Sequence, residues 1–337
     1  MLTGEYATEC SDASGMQLLD IKNRCWSEEI CSLLDIDMSL LAKVYESVEV
    51  TGYVNGDAAV KCGLVSGIPV AGGAGDNAAA AIGTGVCSPK RAFTTIGTSG
   101  VIFAHTDKPL IDPKGRFHTF CAAVPGEWHV MSVTQGAGLS MNWFKNNIAK
   151  EFSYKELDEI SREIPIGCEK LLYLPYLMGE RTPVLDAKAR GMFTGLSSIH
   201  TKSHMARAVM EGVSYSLYDC LEVMKEVNVE INDMAICGGG GKSEFWKQMI
   251  SDVYNLPLLT ADCSEGPALG GAILAGCAAG IYKGVREGCE ITINRKVSTT
   301  PDENRHNEYM KYFNVYKMLY ESNKGVFGKL YEIENGL

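Results

Sequence analysis

The sequence predicts a mixed α/β fold, and three observations carry the prediction. Short β-rich runs pair across Gly-Thr-Ser-Gly and Pro-Gly turns between residues 93 and 133. Strand and helix patterns alternate after residue 230, and two further glycine-rich turns, at 72–77 and 238–242, sit between strand-like and helix-like segments. The chain of 337 residues is long enough for two domains with their own cores. Its 46% hydrophobic and 21% charged residues are ordinary for a globular protein. A formal net charge of -10 argues against nucleic acid as the main partner. A phosphorylated small molecule needs only local donors and stays open. The twelve cysteines include no Cys-x-x-Cys pair, so neither a structural zinc site nor a thioredoxin-type motif is supported. Reduced thiols in a cytoplasmic protein are expected. No run of 18 apolar residues occurs, and no membrane span is expected.

Taken in order, the segment to about residue 70 reads as mostly helical, with 26–34 and 40–45 as candidate helices and few strands. Residues 57–65 read as a helix, 68–71 as a buried strand, and 77–82 as the start of a helix of small residues. Residues 93–96 and 101–104 form a predicted hairpin; 121–124 and 128–133 form a second strand pair around Pro125-Gly126. Helices follow at 137–149 and 154–163. Thr201 is the predicted N-cap of a long helix reaching about Val227, with Met205, Val209, Val213 and Leu217 as a buried stripe. A strand at 234–237, a helix at 243–254, a strand at 256–259 and a small-residue helix at 267–279 complete the predicted core.

The glycine turns carry the chemistry. Gly73-x-Gly75-x-x-Ala78 alone matches a dinucleotide fingerprint, but the fingerprint wants an acidic residue about 20 positions on, and no Asp or Glu occurs between Asn77 and Thr106. Asp76 would also set negative charge beside a pyrophosphate, so that reading is rejected. Gly238-Gly239-Gly240-Gly241-Lys242-Ser243 is not a P-loop, because Ile236 stands where its first glycine belongs. Four glycines between strand and helix still let backbone amides approach a ligand closely, and nucleotide contact is the better reading. Gly97-Thr98-Ser99-Gly100 taken alone is a hairpin turn; beside the other turns, its hydroxyls and amides suit phosphate oxygens. Asp76 is either a helix N-cap or a general base for a substrate hydroxyl, with Asn77 beside it to orient the same substrate. His200 and His204 are spaced as in some zinc sites, but exposed imidazoles at a helix start fit better. Glu180-Arg181-Thr182-Pro183 reads as a loop salt bridge or a substrate-proximal element. Tyr309, Tyr312 and Tyr316 read as helix packing or surface.

Taken together, Leu2-Thr3-Gly4-Glu5-Tyr6-Ala7-Thr8, Ser11-Asp12-Ala13-Ser14-Gly15, the turns at 72–77 and 97–100, Gly179-Glu180-Arg181-Thr182-Pro183, residues 206–213, the turn at 238–243 and Glu265-Gly266-Pro267-Ala268-Leu269-Gly270-Gly271-Ala272 resemble the FGGY carbohydrate kinases. The series keeps one order and covers nearly the whole chain. The resemblance implies a two-lobed, actin-like or RNase H-like ATPase fold. Residues 1–82 would be the C-terminal remnant of a truncated first, sugar-binding lobe, and 83–330 a complete ATP-binding lobe. It implies ATP and Mg²⁺ as cofactors and transfer of the γ-phosphate to a sugar hydroxyl. D-xylulose is the expected sugar; gluconate, rhamnulose and glycerol are rivals. Asp76 matches the family's catalytic base and Asn77 a sugar contact. Gly97, Thr98, Ser99, Gly138, Asn142, Gly239, Gly240 and Ser243 match ATP contacts, and the small-residue helices after Asn77 and Glu265 match hinge helices. No residue here matches a metal ligand. The family's opening Asp-x-Gly-Thr phosphate loop, which also helps place Mg²⁺, has no counterpart. The chain is therefore expected to be truncated and inactive alone, with a missing N-terminal fragment as a partner and a homodimer as an unsurprising state. The alternative is a non-catalytic nucleotide-binding remnant.

Overall fold

The computed structural model describes residues 1–262 and 266–334. Glu265, which opens one of the matching motifs, lies outside the described residues.

The core is one seven-stranded mixed sheet. Strands β1 (Arg91–Ile96) and β2 (Gly100–Thr106) form the expected hairpin, Ile96 facing Gly100 at the turn. Strands β3 (His118–Cys121) and β4 (Trp128–Thr134) continue it antiparallel, β4 lying between β2 and β3. The expected strand at 121–124 falls earlier: residues 122–127 turn the chain, and Ala122 donates to the Glu127 carbonyl across the turn. On the other side, β5 (Asp233–Cys237) lies parallel to β1, β6 (Leu258–Ala261) lies parallel to β5, and β7 (Arg295–Thr299) closes the edge antiparallel. The spatial order is β7-β6-β5-β1-β2-β4-β3. The register of the β5–β1 pair sets Cys237 beside Thr95. The turns that follow these two strands therefore leave the sheet side by side, at their carboxyl ends.

From residue 76 onward the helices described are α1 (Asp76–Gly83), α2 (Gly138–Asn147), α3 (Tyr154–Arg162), α4 (Lys202–Glu226), α5 (Glu244–Tyr254), α6 (Gly266–Ala278), α7 (Val285–Thr292) and α8 (Glu303–Glu334). Thr201 is the N-cap of α4, in a capping box with His204. The single apolar stripe expected on α4 is too narrow: every residue from Ala206 to Tyr218 is buried, while Met205 is only half-buried. A helix apolar on all sides is one packed on all sides, and α4 runs through the main core, against β2, β4, α2, α3, α5 and α8. Tyr215, Phe313 and the phenols of Tyr309 and Tyr316 pack there as one aromatic cluster. Elements α7 and β7 carry no clear local signal in the sequence, and of α8 only the spacing of Tyr309, Tyr312 and Tyr316 is legible as helix packing or surface.

The first 71 residues hold more strands than expected. Ala7–Glu9 pairs in parallel with Lys43–Tyr45, Leu19–Asp20 pairs with Cys25–Trp26, and Val50–Tyr53 pairs with Pro69–Ala71. Residues 40–45, expected helical, are thus largely strand, and the helix expected at 26–34 is Glu28–Leu33, capped by Ser27. The expected helix at 57–65 runs from Gly56 to Cys62 and stops at Gly63 in the left-handed region. The strand at 69–71 is half-buried, because its sheet has only one partner strand. Helices α1 and α6 cross at van der Waals limit. A Cβ added to Gly83 would overlap the Gly266 carbonyl, and one added to Gly270 the Ala79 carbonyl. No helix among the described residues is long and apolar enough to cross a membrane.

Candidate active site

A cavity of about 600 Å³ opens at the carboxyl ends of β1 and β5. Both walls follow from local chemistry. Gly97-Thr98-Ser99 closes the β1–β2 hairpin, and α2 docks its first turn onto it: Gly138 donates to the Gly97 carbonyl at 2.8 Å and Leu139 to the Thr98 carbonyl at 3.0 Å. A Cβ on Gly138 would overlap the Gly97 carbonyl, so the docking requires glycine there. These contacts occupy the turn's carbonyls. The Thr98 and Ser99 hydroxyls make no hydrogen bond among the described residues, which leaves them available as donors. On the other wall, Gly238 (φ 83°) turns the chain out of β5, and residues 240–242 form one short 3₁₀ turn. Ser243 then caps α5, its hydroxyl accepting from the Trp246 amide at 3.0 Å.

Of the eight residues matched to ATP contacts, Gly97, Thr98, Gly138, Asn142, Gly239, Gly240 and Ser243 line this cavity. Ser99 sits in the same turn but not in the lining. Sequence reasoning missed the rest of the wall: Tyr154, Lys155 and Asp158 from α3, Lys242, and Trp246 from α5. A polar stripe of i, i+1, i+4 spacing on α3 was the available signal, but only packing shows that it faces a cavity. Asn142 accepts from the Tyr154 hydroxyl at 3.3 Å and from Asn146. Burial raises the Asp158 carboxyl above its ordinary value, while the Ser243 hydroxyl and the Arg162 charge pull it back. The cavity thus offers the free Thr98 hydroxyl and Lys242 toward an anion, with Lys155, 3.9 Å from Glu159, beside them, and Trp246 and Met210 as apolar wall.

Asp76 and Asn77 do not line this cavity. The turn at 72–75 lies instead against the chain's first helical turn. Gly75 is the N-cap of α1 and Asp76 its first residue, so Asp76 is not itself the cap. Its exposed carboxylate accepts from the Asn77 amide at 2.7 Å and from the Asn77 side-chain amide at 3.0 Å. Asn77 therefore orients Asp76. Behind them stands Glu9, which the sequence reading passed over. It is 3% exposed and accepts from the Ser11 amide (2.7 Å), the Ser11 hydroxyl (2.6 Å), the Asp12 amide (2.6 Å), the Ser47 hydroxyl (2.9 Å) and the Gly75 amide (3.2 Å). This buried anion ties the 9–12 turn to the start of α1. A Cβ on Gly75 would lie 3.5 Å from an Asp12 carboxylate oxygen, so Asp12 and Asp76 flank one turn.

Glu180 makes no salt bridge with Arg181. It is buried and accepts from Thr134 (2.5 Å) and from the Gln135 and Arg181 amides (both 2.7 Å), while Arg181 points to His118. Burial pushes the Glu180 carboxyl up to about 7 against those donors. His200 and His204 are half-buried ring neighbours, not the exposed imidazoles expected, and their Nδ1 atoms meet Ser197 and Thr201. Among the described residues no three metal-ligating side chains gather.

With this geometry in hand, two family descriptions match. Residues 1–83 match the N-terminal domain of the FGGY family of carbohydrate kinases, and residues 92–279 match its C-terminal domain. The chain belongs to the FGGY family of carbohydrate kinases. It is similar to a xylulose kinase of Bacillus subtilis, 35% identical over 323 residues, which cover 96% of this chain and 65% of that protein. Among solved structures it is similar to a xyloylose kinase from Brucella ovis (TM-score 0.88, 32% identity, 96% of this chain and 66% of that one). It is similar also to a ligand-bound xylulose kinase from Lactobacillus acidophilus (TM-score 0.92, 27% identity, 98% and 67%). The chain spans about two thirds of the length of the relatives it matches.

Proposed function

We propose that this chain supplies the nucleotide cavity and the proton acceptor of a cytoplasmic sugar kinase, residues 1–82 belonging to its sugar-binding lobe and 83–330 to its ATP-binding lobe. The carrying observation is convergence: seven residues from three separate segments, each matched to ATP contacts, line one cavity at the ends of two parallel strands. The relatives' names make D-xylulose the proposed sugar. In the reaction, the sugar hydroxyl attacks the γ-phosphorus, the bond to the β-phosphate oxygen breaks, and Asp76 accepts the hydroxyl proton, held in place by Asn77. Phosphoryl transfer rests on positioning and charge neutralisation, for which Thr98, Ser99, Lys155 and Lys242 are the donors at hand. A Mg²⁺ ion fits as a guest of the nucleotide: with no cage of three ligands among the described residues, phosphate oxygens and a carboxylate or two would hold it. It would neutralise charge developing on the phosphates.

The test is a nucleotide titration together with a coupled ADP-release assay over D-xylulose, gluconate, rhamnulose and glycerol. Saturable ATP binding and ADP release led by D-xylulose are expected; no nucleotide binding overturns the proposal.

A further inference from the structure

A second cavity, of about 350 Å³, lies on the far side of the two helices that wall the first. Helix α3 sends Asp158 to the first cavity and Arg162 to the second; α5 sends Trp246 to the first and Phe245 and Gln248 to the second. Arg207, Arg305, Thr299, Ser298 and the carboxylate of Glu244 complete the polar lining of the second. Three guanidinium groups line this small cavity: Arg207 is buried, Arg305 half-buried and Arg162 exposed, so their like charges attract an anion to its mouth.

The charges can be followed one by one. Arg207, 2% exposed, is clamped: its Nε donates to Glu211 at 2.7 Å, and its Nη atoms donate to the Ile164 carbonyl (2.6 Å), the Ser161 carbonyl (3.3 Å) and the Tyr309 hydroxyl (3.1 Å). Arg305 meets Asp252 at 3.3 Å. Glu244, the carboxylate in the lining, pairs with Lys247 at 2.7 Å, and Lys247 also donates to Ser298. Each of these cations has its own carboxylate. Arg162 has none. Its guanidinium lies 5.1 Å from the Phe245 ring centroid, Arg207's 5.4 Å from the same ring, and Arg162 makes no ion pair or hydrogen bond among the described residues. Asp158, one turn back on α3, feels its charge without pairing with it. The Thr299 hydroxyl, in a residue 9% exposed, is buried without a partner, which ordinarily costs stability unless something fills the site. An unpaired cation, a half-exposed second one and an orphaned donor thus converge on one cavity.

We propose that this cavity is an anion site for a phosphate monoester of small-metabolite size, separate from the nucleotide cavity. The phosphate would take charge-assisted bonds from Arg162 and Arg305 and the Thr299 hydroxyl. The remaining volume suits a body of a few carbons. Because α3 and α5 border both cavities, occupancy here would reach the first cavity through Asp158 and Ser243. The binding proposal holds whether or not the first cavity takes ATP.

The test is calorimetric titration of the chain with glycerol 3-phosphate and with inorganic phosphate, repeated in Arg162→Ala/Arg305→Ala, Thr299→Val and Gly239→Val proteins. Arg162 is exposed and Thr299→Val is isosteric, so those folds should hold; because Arg305→Ala strips the buried Asp252 of its cation, Arg162→Ala alone is titrated beside the double variant, with the same weakening expected in direction, and unchanged melting without ligand checks each protein. The expected result is saturable binding, at least tenfold weaker in the double arginine variant, several-fold weaker in Thr299→Val, and unchanged in Gly239→Val, whose added branches enter only the first cavity. No binding, binding indifferent to the arginine and threonine changes, or binding lost in Gly239→Val would each overturn the proposal, the last by assigning the anion to the nucleotide cavity.

Discussion

Adjacent glycines in one turn should respond in opposite ways to added side chains. Gly239 has φ -63° and ψ -42°, an ordinary helical conformation for any L-residue, and a Cβ built there meets nothing within 4 Å. It lines the first cavity. Gly239→Val should therefore leave folding alone and place its two methyl groups where a nucleotide must lie. Forcing methyl groups into an otherwise fitted contact costs about 1–3 kcal/mol, or roughly 5–150-fold in dissociation constant. Gly240 is the contrast. A Cβ there would sit 2.5 Å from the Ile96 Cγ2 and 2.8 Å from its Cβ, against the end of β1. Gly240→Ala should cost about 1–3 kcal/mol of stability, a fall of several degrees in melting temperature for a chain of this size, because its added atom is driven into Ile96. Titration with a fluorescent ATP analogue and thermal unfolding of both variants read the two effects apart. If Gly239→Val binds nucleotide like the parent, the cavity is not the nucleotide site. If it melts early instead, the space read as open in front of Gly239 is in fact needed by the fold.

Asp76→Asn should lower sugar phosphorylation by about 10²–10⁴-fold with nucleotide affinity unchanged, since the carboxylate lies outside the nucleotide cavity; a kcat within a few-fold of the parent removes Asp76 as the base. Glu180 has a folded-state value raised to about 7, so the folded chain holds its proton more tightly than the unfolded chain. Its contribution is fully present below the unfolded carboxylate range near 4.5 and is lost as pH rises through about 7, so the parent should lose stability over that window relative to Glu180→Gln. Parallel melting curves for the two proteins from pH 5 to 7.5 would count against the buried carboxyl. Glu211→Gln leaves the buried Arg207 charge without its anion and should cost about 3–5 kcal/mol in urea unfolding; a loss under 1 kcal/mol would show that Arg207 finds its compensation elsewhere.

What the residues by themselves determined was local. A glycine turn or a small-residue helix depends on backbone sterics within a few positions, so the hairpin at Gly97–Gly100, the Gly238 turn and the small-residue helices α1 and α6 were legible, while the Ser243 cap and the close crossing of α1 and α6 were not. Pairing and facing were not. Lys43–Tyr45 reads as helix in isolation and becomes a strand because Ala7–Glu9, far back in the chain, lies beside it. The edge strand β7 and the long α8 are stabilised by what they cover and not by their own patterns. The same holds at the site. The chain's order cannot say that Lys155, Asp158 and Trp246 look into the cavity that Gly97 and Gly239 close, or that Glu9 anchors the turn before Asp76. Those relations are distances between segments: α3 and α5 pack on α4, which lies against the sheet, and Glu9 reaches Gly75 across 66 positions of chain.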